Sequence, residues 1–170
     1  MDFRGYIRDV PDFPSAGILF RDVTPLLASP DAFLAAVNAM AEPFRQAKPD
    51  KILGIEARGF LFGSALAREL HVGIVPARKP GKLPRRTERI SYGLEYGKDS
   101  LEVHADAFRQ GERVLVVDDV LATGGTAAAA AELAERLGTL VIGISVFIEL
   151  AALGGRSRLG GRNAHAVLVL

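Results

Sequence analysis

The chain has 170 residues, and its 21 Lys and Arg against 20 Asp and Glu leave a formal net charge of only +1 at pH 7. A balance this close to neutral gives no global positive field for binding nucleic acid or a membrane surface. The chain contains no cysteine, which excludes a disulfide framework and thiol chemistry, and its length suits one domain over 1–170 with a substantial core.

Five apolar runs along the chain predict buried strands, at 52–55, 72–77, 114–117, 140–147 and 166–170. Helical patterns stand between several of these runs. Strands that alternate with helices are typical of a parallel sheet covered by helices on both faces. The predicted fold class is therefore α/β, with a twisted parallel sheet at its centre.

The first long helix is predicted to begin at Ser29, which would cap it, with Pro30 in its first position. Helical spacing predicts that its apolar residues share one inward face. These residues are Phe33, Leu34, Val37, Met40 and Ala41.

Two further helices are predicted later in the chain, at Gly59–Leu70 and Ala127–Leu137. The second of these ends at Gly138, a residue type that commonly follows a helix in the left-handed conformation. Its run of alanines indicates a helix packed closely on the sheet, because Ala combines high helix propensity with small size.

The region 78–104 interrupts the alternation of strands and helices, and it is basic and rich in Pro and Gly. Segments 88–92 and 100–104 are predicted to pair as a short hairpin of polar strands. Long connections in a compact domain are usually functional or disordered, so we interpret this region as an arm over a site. Taken alone, its cluster of cations is more typical of a solvated loop.

The stretch Val114–Thr126 reads VLVVDDVLATGGT and is the most informative in the chain. A strand ends in two carboxylates, Asp118 and Asp119, and a turn of small residues leads into the last predicted helix. Ligands of open α/β sheets bind beyond the carboxyl ends of the strands, and a Gly-rich turn before a helix offers backbone N–H groups to an anion. The two carboxylates suit vicinal hydroxyls or a hydrated divalent cation. The predicted ligand therefore carries a phosphate next to a sugar diol.

Two common phosphate motifs are excluded at this stretch. It is not a Walker A loop, because no Gly-Lys-Ser/Thr follows the glycines, and it lacks the G-x-G-x-x-G of a dinucleotide fingerprint. A strand-turn-helix with glycines is also common in α/β proteins without any ligand, and it is the pair of carboxylates that favours a binding site here.

The stretch resembles the signature for phosphoribosyl pyrophosphate (PRPP) in the type I phosphoribosyltransferases, and its ATGGT ending is most similar to the adenine phosphoribosyltransferases. Three other segments agree with this family. Phe13–Asp22 is similar to its FP-x-x-G-x-x-FRD segment, Glu56–Phe60 resembles its pyrophosphate loop, and Tyr92–Gly97 resembles its mobile catalytic loop. The resemblance runs in order over nearly the whole chain.

The resemblance implies an enzyme of the type I phosphoribosyltransferase fold, with an N-terminal hood at roughly 1–30 and a mobile loop at roughly 79–104. The implied reaction converts adenine and PRPP to AMP and pyrophosphate, a step of purine salvage. It further implies Mg²⁺ bound through PRPP, with no direct protein ligand, and a homodimer that has no nucleic-acid or membrane partner.

The resemblance also implies which residues bind PRPP. Asp118 and Asp119 would hold the ribose hydroxyls, and Thr123–Thr126 would hold the 5′-phosphate. Pyrophosphate would lie against four cations. The implied PRPP-binding residues are Arg58, Arg78, Lys79, Lys82, Asp118, Asp119, Ala122, Thr123, Gly124, Gly125 and Thr126.

Adenine would lie in the hood against Leu19, Phe20 and Arg21, with Phe20 stacked on the purine ring. The resemblance assigns the purine proton to Glu95 as general acid/base, and it assigns loop closure to Tyr96. Without the family, each of these residues has an ordinary alternative. Glu95 would be a solvated loop residue, and Leu19 and Phe20 would be core residues of a short strand.

Other polar residues receive no catalytic role. Arg85 and Arg86 are interpreted as a solvated face, and the role of Glu149 is left open. A surface ion pair between Glu56 and Arg58 is the ordinary alternative to a pyrophosphate loop. The three histidines lack ligand spacing, so no zinc site is predicted.

Two other functions stay open. The same fold could act on xanthine, hypoxanthine or orotate, although the ATGGT and FRD segments favour adenine. Alternatively, the chain could be a regulator that binds PRPP or a nucleotide to control transcription. The near-neutral charge and the lack of a helix-turn-helix pattern count against that function.

The expected compartment is the cytoplasm. No apolar run reaches the ~18 residues of a membrane span. The N-terminal residues, among them Asp2, Arg4 and Arg8, show no signal-peptide pattern.

Overall fold

The computed structural model describes residues 1–93 and 98–170, and a parallel sheet forms its centre. In chain order the elements are β1 (Arg8–Pro11), β2 (Leu19–Asp22), α1 (Thr24–Ala28), α2 (Pro30–Ala41), β3 (Lys51–Ile55), α3 (Gly59–Leu70), β4 (Gly73–Ala77), β5 (Thr87–Gly93), β6 (Lys98–His104), β7 (Arg113–Leu121), α4 (Gly125–Arg136), β8 (Leu140–Glu149) and β9 (Ala164–Val169). Short 3-10 helices include Ala151–Leu153 and Gly155–Leu159.

Five strands form the sheet in the order β4-β3-β7-β8-β9, and every pairing in it is parallel. All five predicted strands are confirmed. The carboxyl ends of parallel strands lie at one edge, so the turns that follow β3, β4 and β7 meet there. β7 lies in the middle of the order, and it continues four residues beyond the predicted run, to Leu121. The two carboxylates Asp118 and Asp119 therefore belong to the central strand itself.

Each face of the sheet has its own hydrophobic core, and β7 contributes to both because its side chains alternate. Val114 and Val116 pack on the face covered by α4, while Leu115 and Val117 pack on the face covered by α2 and α3. Five of the six alanines of α4 are buried in the first of these cores, which confirms close packing of that helix on the sheet.

Helix α2 begins as predicted, with Pro30 in its first position and the Ser29 hydroxyl accepting a hydrogen bond from the Ala32 N–H at 3.4 Å. Its inward face is only partly as predicted. Leu34 was expected inside but is 56% exposed, because it lies outside the two rows of residues four apart that face the core, 32/36/40 and 37/41. The buried residues of α2 are Ala32, Ala36, Val37, Met40 and Ala41.

The predicted hairpin in the basic region is confirmed, since β5 and β6 pair antiparallel from Thr87 opposite His104 to Gly93 opposite Lys98. The expectation that both strands are merely polar is wrong. Ile90, Leu101 and Val103 are buried in the core that also contains α4. The hairpin is thus a structural part of the domain, anchored beside α4.

Within residues 1–93 and 98–170, no helix combines the length and the apolar character that a membrane crossing requires.

Candidate active site

A cavity of about 510 Å³ opens at the carboxyl edge of the sheet. The turns after β3 and β7 line it, together with the β1–β2 hairpin and the segment after β8. Of the residues predicted to bind PRPP or adenine, it brings together Leu19, Phe20, Arg21, Arg58, Lys79, Asp118, Asp119, Ala122 and Thr126. Arg78 and Lys82 do not line the cavity, but both contact Glu56, which does.

Asp118 and Asp119 lie next to each other near the end of β7, and both face the cavity. The Asp119 N–H donates a hydrogen bond of 2.9 Å to Asp118 Oδ1. Desolvation by the surrounding protein and the charge of Asp119 raise the pKa of Asp118 well above its ordinary value. A ligand that donates hydroxyl protons to this pair, or brings a cation to it, would favour the charged form.

Gly59 lets α3 begin directly against β7. A Cβ atom at this position would lie 2.7 Å from Asp118 Oδ1 and 3.1 Å from the Val117 carbonyl oxygen, closer than real side chains pack. The absence of a side chain therefore sets the spacing between the turn after β3 and the carboxylates of β7. Arg58, immediately before Gly59, is held over the cavity by this contact.

The guanidinium of Arg58 connects three parts of the site. It forms an ion pair with Asp119, and its Cζ lies 4.8 Å from the centroid of the Phe20 ring, within range of a cation–π interaction. The alternative ion pair between Glu56 and Arg58 is not formed. Arg58 instead joins the turn after β3 to β7 and to the N-terminal hairpin.

Glu56 holds two of the predicted pyrophosphate cations. Its carboxylate accepts from Arg78 Nε at 2.8 Å and from Lys82 Nζ at 2.6 Å. Burial alone would raise the pKa of Glu56, but the hydrogen bonds from Lys82 and Arg78 outweigh that effect and lower it. The sequence predicts Glu56 as part of the pyrophosphate loop or as a surface partner of Arg58, and not as the partner of Arg78 and Lys82. The parallel pairing of β3 and β4 brings Arg78 to it instead, through adjacent strand ends.

Lys79 lines the cavity and is paired with a carboxylate that sequence reasoning missed, Asp99 on β6. The same carboxylate accepts from the hydroxyl of Tyr92 at 3.0 Å. Burial lowers the pKa of Lys79, but the hydrogen bond to Asp99 and the fields of Tyr92 and Asp99 more than compensate, so the pKa lies above its ordinary value. Tyr92 and Asp99 are cross-strand partners in the hairpin, which brings both of them to Lys79.

The turn after β7 is shaped by two glycines. Gly124 has a φ of +81°, which disfavours other residues. A Cβ on Gly124 would collide with the carbonyl of Gly155, and a Cβ on Gly155 would collide with the carbonyl of Ala122. The turn is therefore supported from behind by the 3-10 helix at Gly155–Leu159, and α4 begins at its far end.

The N-terminal hairpin covers one side of the cavity. Phe20 packs edge-to-face against Phe13, with ring centroids 5.1 Å apart, and Arg21 pairs with Asp9 on β1. The alternative that Leu19 is a core residue is wrong, since its side chain is 45% exposed. Leu19 and Phe20 instead face the cavity.

Glu95 and Tyr96, predicted for proton transfer and loop closure, lie outside the described residues. Glu149 has a structural role in the fold. Its carboxylate is bound by Arg156 through hydrogen bonds of 2.8 Å to both oxygens. Arg85 and Arg86 form exposed ion pairs with Asp106 and Glu88, as expected of a solvated face. Among the described residues, no three His, Cys, Asp or Glu are grouped to hold a metal ion.

Comparison with known proteins agrees with this geometry. Residues 23–165 match the family described as "Phosphoribosyl transferase domain". The adenine phosphoribosyltransferase of Acidothermus cellulolyticus is 56% identical over 163 residues, which are 96% of this chain and 92% of that protein.

Solved structures show the same similarity. The adenine phosphoribosyltransferase of Rhodothermus marinus is 50% identical and superposes with a TM-score of 0.96, over 99% of this chain and 96% of that one. The Saccharomyces cerevisiae enzyme, solved in complex with adenine, is 42% identical with a TM-score of 0.92, over 98% and 96%. The five-stranded parallel sheet and its helices are thus the type I phosphoribosyltransferase fold, and the chain belongs to the phosphoribosyltransferase family, among the adenine phosphoribosyltransferases.

Proposed function

We propose that this chain transfers the phosphoribosyl group of PRPP to adenine, which yields AMP and pyrophosphate in purine salvage. One observation carries the proposal: a single cavity collects a pair of diol-binding carboxylates, an anion-binding turn, a cation and an aromatic side chain. These are Asp118 with Asp119, the two ends of the turn at Ala122 and Thr126, Lys79 and Phe20. Each part matches one part of the two substrates.

PRPP would lie along the carboxyl edge of the sheet. The turn at Thr123–Thr126 offers backbone N–H groups at the start of α4 to the 5′-phosphate. Asp118 and Asp119 accept hydrogen bonds from the ribose 2′- and 3′-hydroxyls. The raised pKa of Asp118 supports this placement, because a carboxylate that is poorly solvated gains most from added donors.

Pyrophosphate would bind to four cations that carboxylates already hold in place. Glu56 binds Arg78 and Lys82, while Lys79 and Arg58 have carboxylate partners of their own, Asp99 and Asp119. Carboxylate and phosphate oxygens accept the same charge-assisted hydrogen bonds. These cations are therefore oriented for anionic oxygens, and pyrophosphate oxygens would share or take over the contacts.

The reaction breaks the bond between ribose C1′ and a pyrophosphate oxygen, and the electron pair leaves with pyrophosphate. Positive charge grows on the ring as an oxocarbenium-like state forms, and adenine N9 attacks C1′ from the opposite face. Fixed cations beside the departing group stabilise its growing negative charge, which is the largest contribution expected here. Glu95 accepts the proton that adenine loses, an assignment that rests on the family's mobile loop.

A hydrated Mg²⁺ suits this site, because Asp118 and Asp119 face the cavity and would accept hydrogen bonds from its waters. PRPP oxygens would supply its ligands, with no direct protein ligand. When bound, Mg²⁺ would neutralise charge on pyrophosphate.

Adenine would occupy the side of the cavity formed by the N-terminal hairpin. Phe20 is half-buried, lies beside Arg58 and lines the cavity, so we place the planar base against its ring. Main-chain groups around Leu19 and Arg21 offer both a donor and an acceptor for the purine edge. The adenine complex of the Saccharomyces cerevisiae relative supports this choice of base.

We also propose a homodimer, with neither nucleic acid nor membrane as a partner, in the cytoplasm, where PRPP is available. Leu34 on α2 and Leu61 on α3 are exposed apolar side chains on two helices that pack together. A second copy would remove them from water.

Product formation tests the proposed function. Purified protein is incubated with PRPP and Mg²⁺ and with adenine, hypoxanthine, guanine, xanthine or orotate in separate reactions, and nucleotides are separated by chromatography. AMP from adenine alone supports the proposal. A nucleotide from another base would retain the PRPP site and overturn the choice of base. PRPP binding without any nucleotide product would favour a regulator.

A further inference from the structure

Tyr92 and Asp99 occupy opposite positions on β5 and β6, close to the end of the hairpin. The strands are joined beyond them by residues 94–97, which include Glu95. Neither Tyr92 nor Asp99 lines the main cavity. Together they nevertheless contact one residue on each side of that cavity, Thr126 on one side and Lys79 on the other.

The hydroxyl of Tyr92 lies between the phosphate turn and the hairpin. It accepts a hydrogen bond from Thr126 Oγ1 at 3.2 Å and donates one to Asp99 Oδ2 at 3.0 Å. Lys79 Nζ lies 3.4 Å from the same oxygen. The phenol can satisfy all three contacts, because a hydroxyl has one proton and two lone pairs.

The carboxylate of Asp99 collects three donors from three elements. Lys79 reaches it from the end of β4, Tyr92 from β5, and the Ser100 N–H donates to its second oxygen at 2.8 Å. A carboxylate that other hydrogen bonds hold in place fixes the direction of a bound ammonium group better than a carboxylate that is free to rotate. Asp99 therefore orients Lys79 toward the cavity that Lys79 lines.

We infer that Tyr92 and Asp99 are positioning residues for PRPP, which hold Thr126 and Lys79 at a fixed separation on the two sides of the site. The inference rests on the proposed function, which places the 5′-phosphate at Thr126 and pyrophosphate at Lys79. One ligand must reach both groups, so their separation determines how well it binds. Small displacements of such groups are costly in an enzyme site.

On this inference the Tyr92–Asp99 pair affects the binding of PRPP but not the binding of adenine. The adenine side of the cavity is formed by Leu19, Phe20 and Arg21 of the N-terminal hairpin, and neither Tyr92 nor Asp99 has a hydrogen bond to that hairpin. If Tyr92 and Asp99 served only to stabilise the hairpin, their substitution would lower the stability of the protein and raise the KM for both substrates together.

The test compares Tyr92→Phe and Asp99→Asn with the wild type in steady-state kinetics, varying PRPP and adenine in turn. Each change removes hydrogen bonds while keeping the shape of the side chain. The matched control is the double variant Ser91→Ala/Ser100→Ala. It deletes the neighbouring cross-strand hydroxyl contact of 2.9 Å, which touches neither Thr126 nor Lys79.

We expect each single variant to raise the KM for PRPP roughly 3- to 10-fold, the worth of one or two net hydrogen bonds. The KM for adenine stays within about twofold, and the serine control resembles the wild type. The double variant Tyr92→Phe/Asp99→Asn raises the KM for PRPP little more than the worse single variant does, because the two residues act as one unit.

Equal increases in both KM values, an unchanged KM for PRPP, or fully additive effects would overturn the inference. Calorimetric titration with PRPP and Mg²⁺ separates it from the proposed function. A wild type that binds PRPP but makes no AMP rejects the proposed function, and the variants' Kd for PRPP then decides the inference. Should Asp99→Asn fail to fold, Tyr92→Phe decides it alone, since its ring is retained.

Discussion

Arg58 and Asp119 form an ion pair across the cavity, joining the turn after β3 to the end of β7. Asp119 is only 4% exposed, whereas Arg58 also reaches the ring of Phe20 in the N-terminal hairpin. The residue proposed for pyrophosphate and the residue proposed for the ribose diol are thus partners of each other. Removing the charge of Asp119 acts on both ends of this pair.

Asp119→Asn is expected to weaken PRPP binding. The variant loses one charged acceptor for the ribose diol and leaves Arg58 without its counter-ion. Hydrogen bonds to charged groups contribute about 1.5–3 kcal/mol, so the KM for PRPP should rise about tenfold or more. Asp106→Asn is the matched control, because Asp106 is an exposed carboxylate that pairs with Arg85 on the surface, away from the cavity. Unchanged PRPP kinetics in Asp119→Asn would remove this residue from the diol site.

Glu95→Gln tests the acid/base assignment. A positioned general base contributes typically about 10²–10⁴-fold, so kcat should fall by that order while the melting temperature stays unchanged. The control is Glu88→Gln on β5, a partly exposed glutamate that pairs with Arg86. Full activity of Glu95→Gln would exclude this residue from the chemistry.

The central elements could be predicted because their sequences are locally consistent. Continuous apolar runs mark β3, β7 and β8, and Ser29 with Pro30 marks the start of α2. The buried side of the β5–β6 hairpin was missed for a physical reason. Its three core residues, Ile90, Leu101 and Val103, stand singly among polar neighbours, so two short strands show no apolar run.

The residues that meet at the cavity could be predicted better than the ion pairs they form. Motifs place Glu56, Arg58 and Arg78 at strand ends, but they carry no information on which charges meet. Neighbours in sequence suggested a pair between Glu56 and Arg58. The parallel register of β3 and β4 instead places Arg78 beside Glu56, and Arg58 crosses to β7.

Asp118→Asn is expected to stabilise the fold and weaken PRPP binding together. The pKa of Asp118 is raised in the folded protein, above the 3.8 of an ordinary aspartate. Between the pKa of Asp118 in the unfolded state and its higher pKa in the folded state, the folded protein binds more protons than the unfolded one. Stability therefore falls as the pH rises through this range, and the loss of stability is complete above the folded-state pKa. Asparagine removes that cost and can still accept the Asp119 N–H.

Thermal unfolding measured from pH 7 down to pH 4 tests this direction of the pH dependence of stability. The melting temperature of Asp118→Asn should exceed that of the wild type at pH 7, and the gain should shrink as the wild-type carboxyl takes up its proton. The KM for PRPP is measured on the same preparations and should rise. A variant less stable than the wild type at pH 7 would contradict the placement of a poorly solvated carboxylate here.

Gly59→Ala tests whether the close contact between α3 and β7 positions Arg58. The added methyl would lie 2.7 Å from Asp118 Oδ1 and 3.1 Å from Asp118 Cα, so the start of α3 must move away from β7. Overpacking of this kind costs about 1–3 kcal/mol of stability. Because Arg58 precedes Gly59, the same movement should reduce kcat/KM for PRPP by more than the loss of folded protein explains.

The control for this variant is Gly5→Ala, where an added Cβ would meet no heavy atom within 4 Å. Denaturant unfolding gives the free energy of unfolding for both variants, and kinetics at a temperature where both remain folded give kcat/KM. If Gly59→Ala loses stability but keeps wild-type kcat/KM, the contact serves packing alone. If it loses both, the spacing between α3 and β7 is what places Arg58 opposite Asp119, and the glycine is as much a part of the site as the arginine it follows.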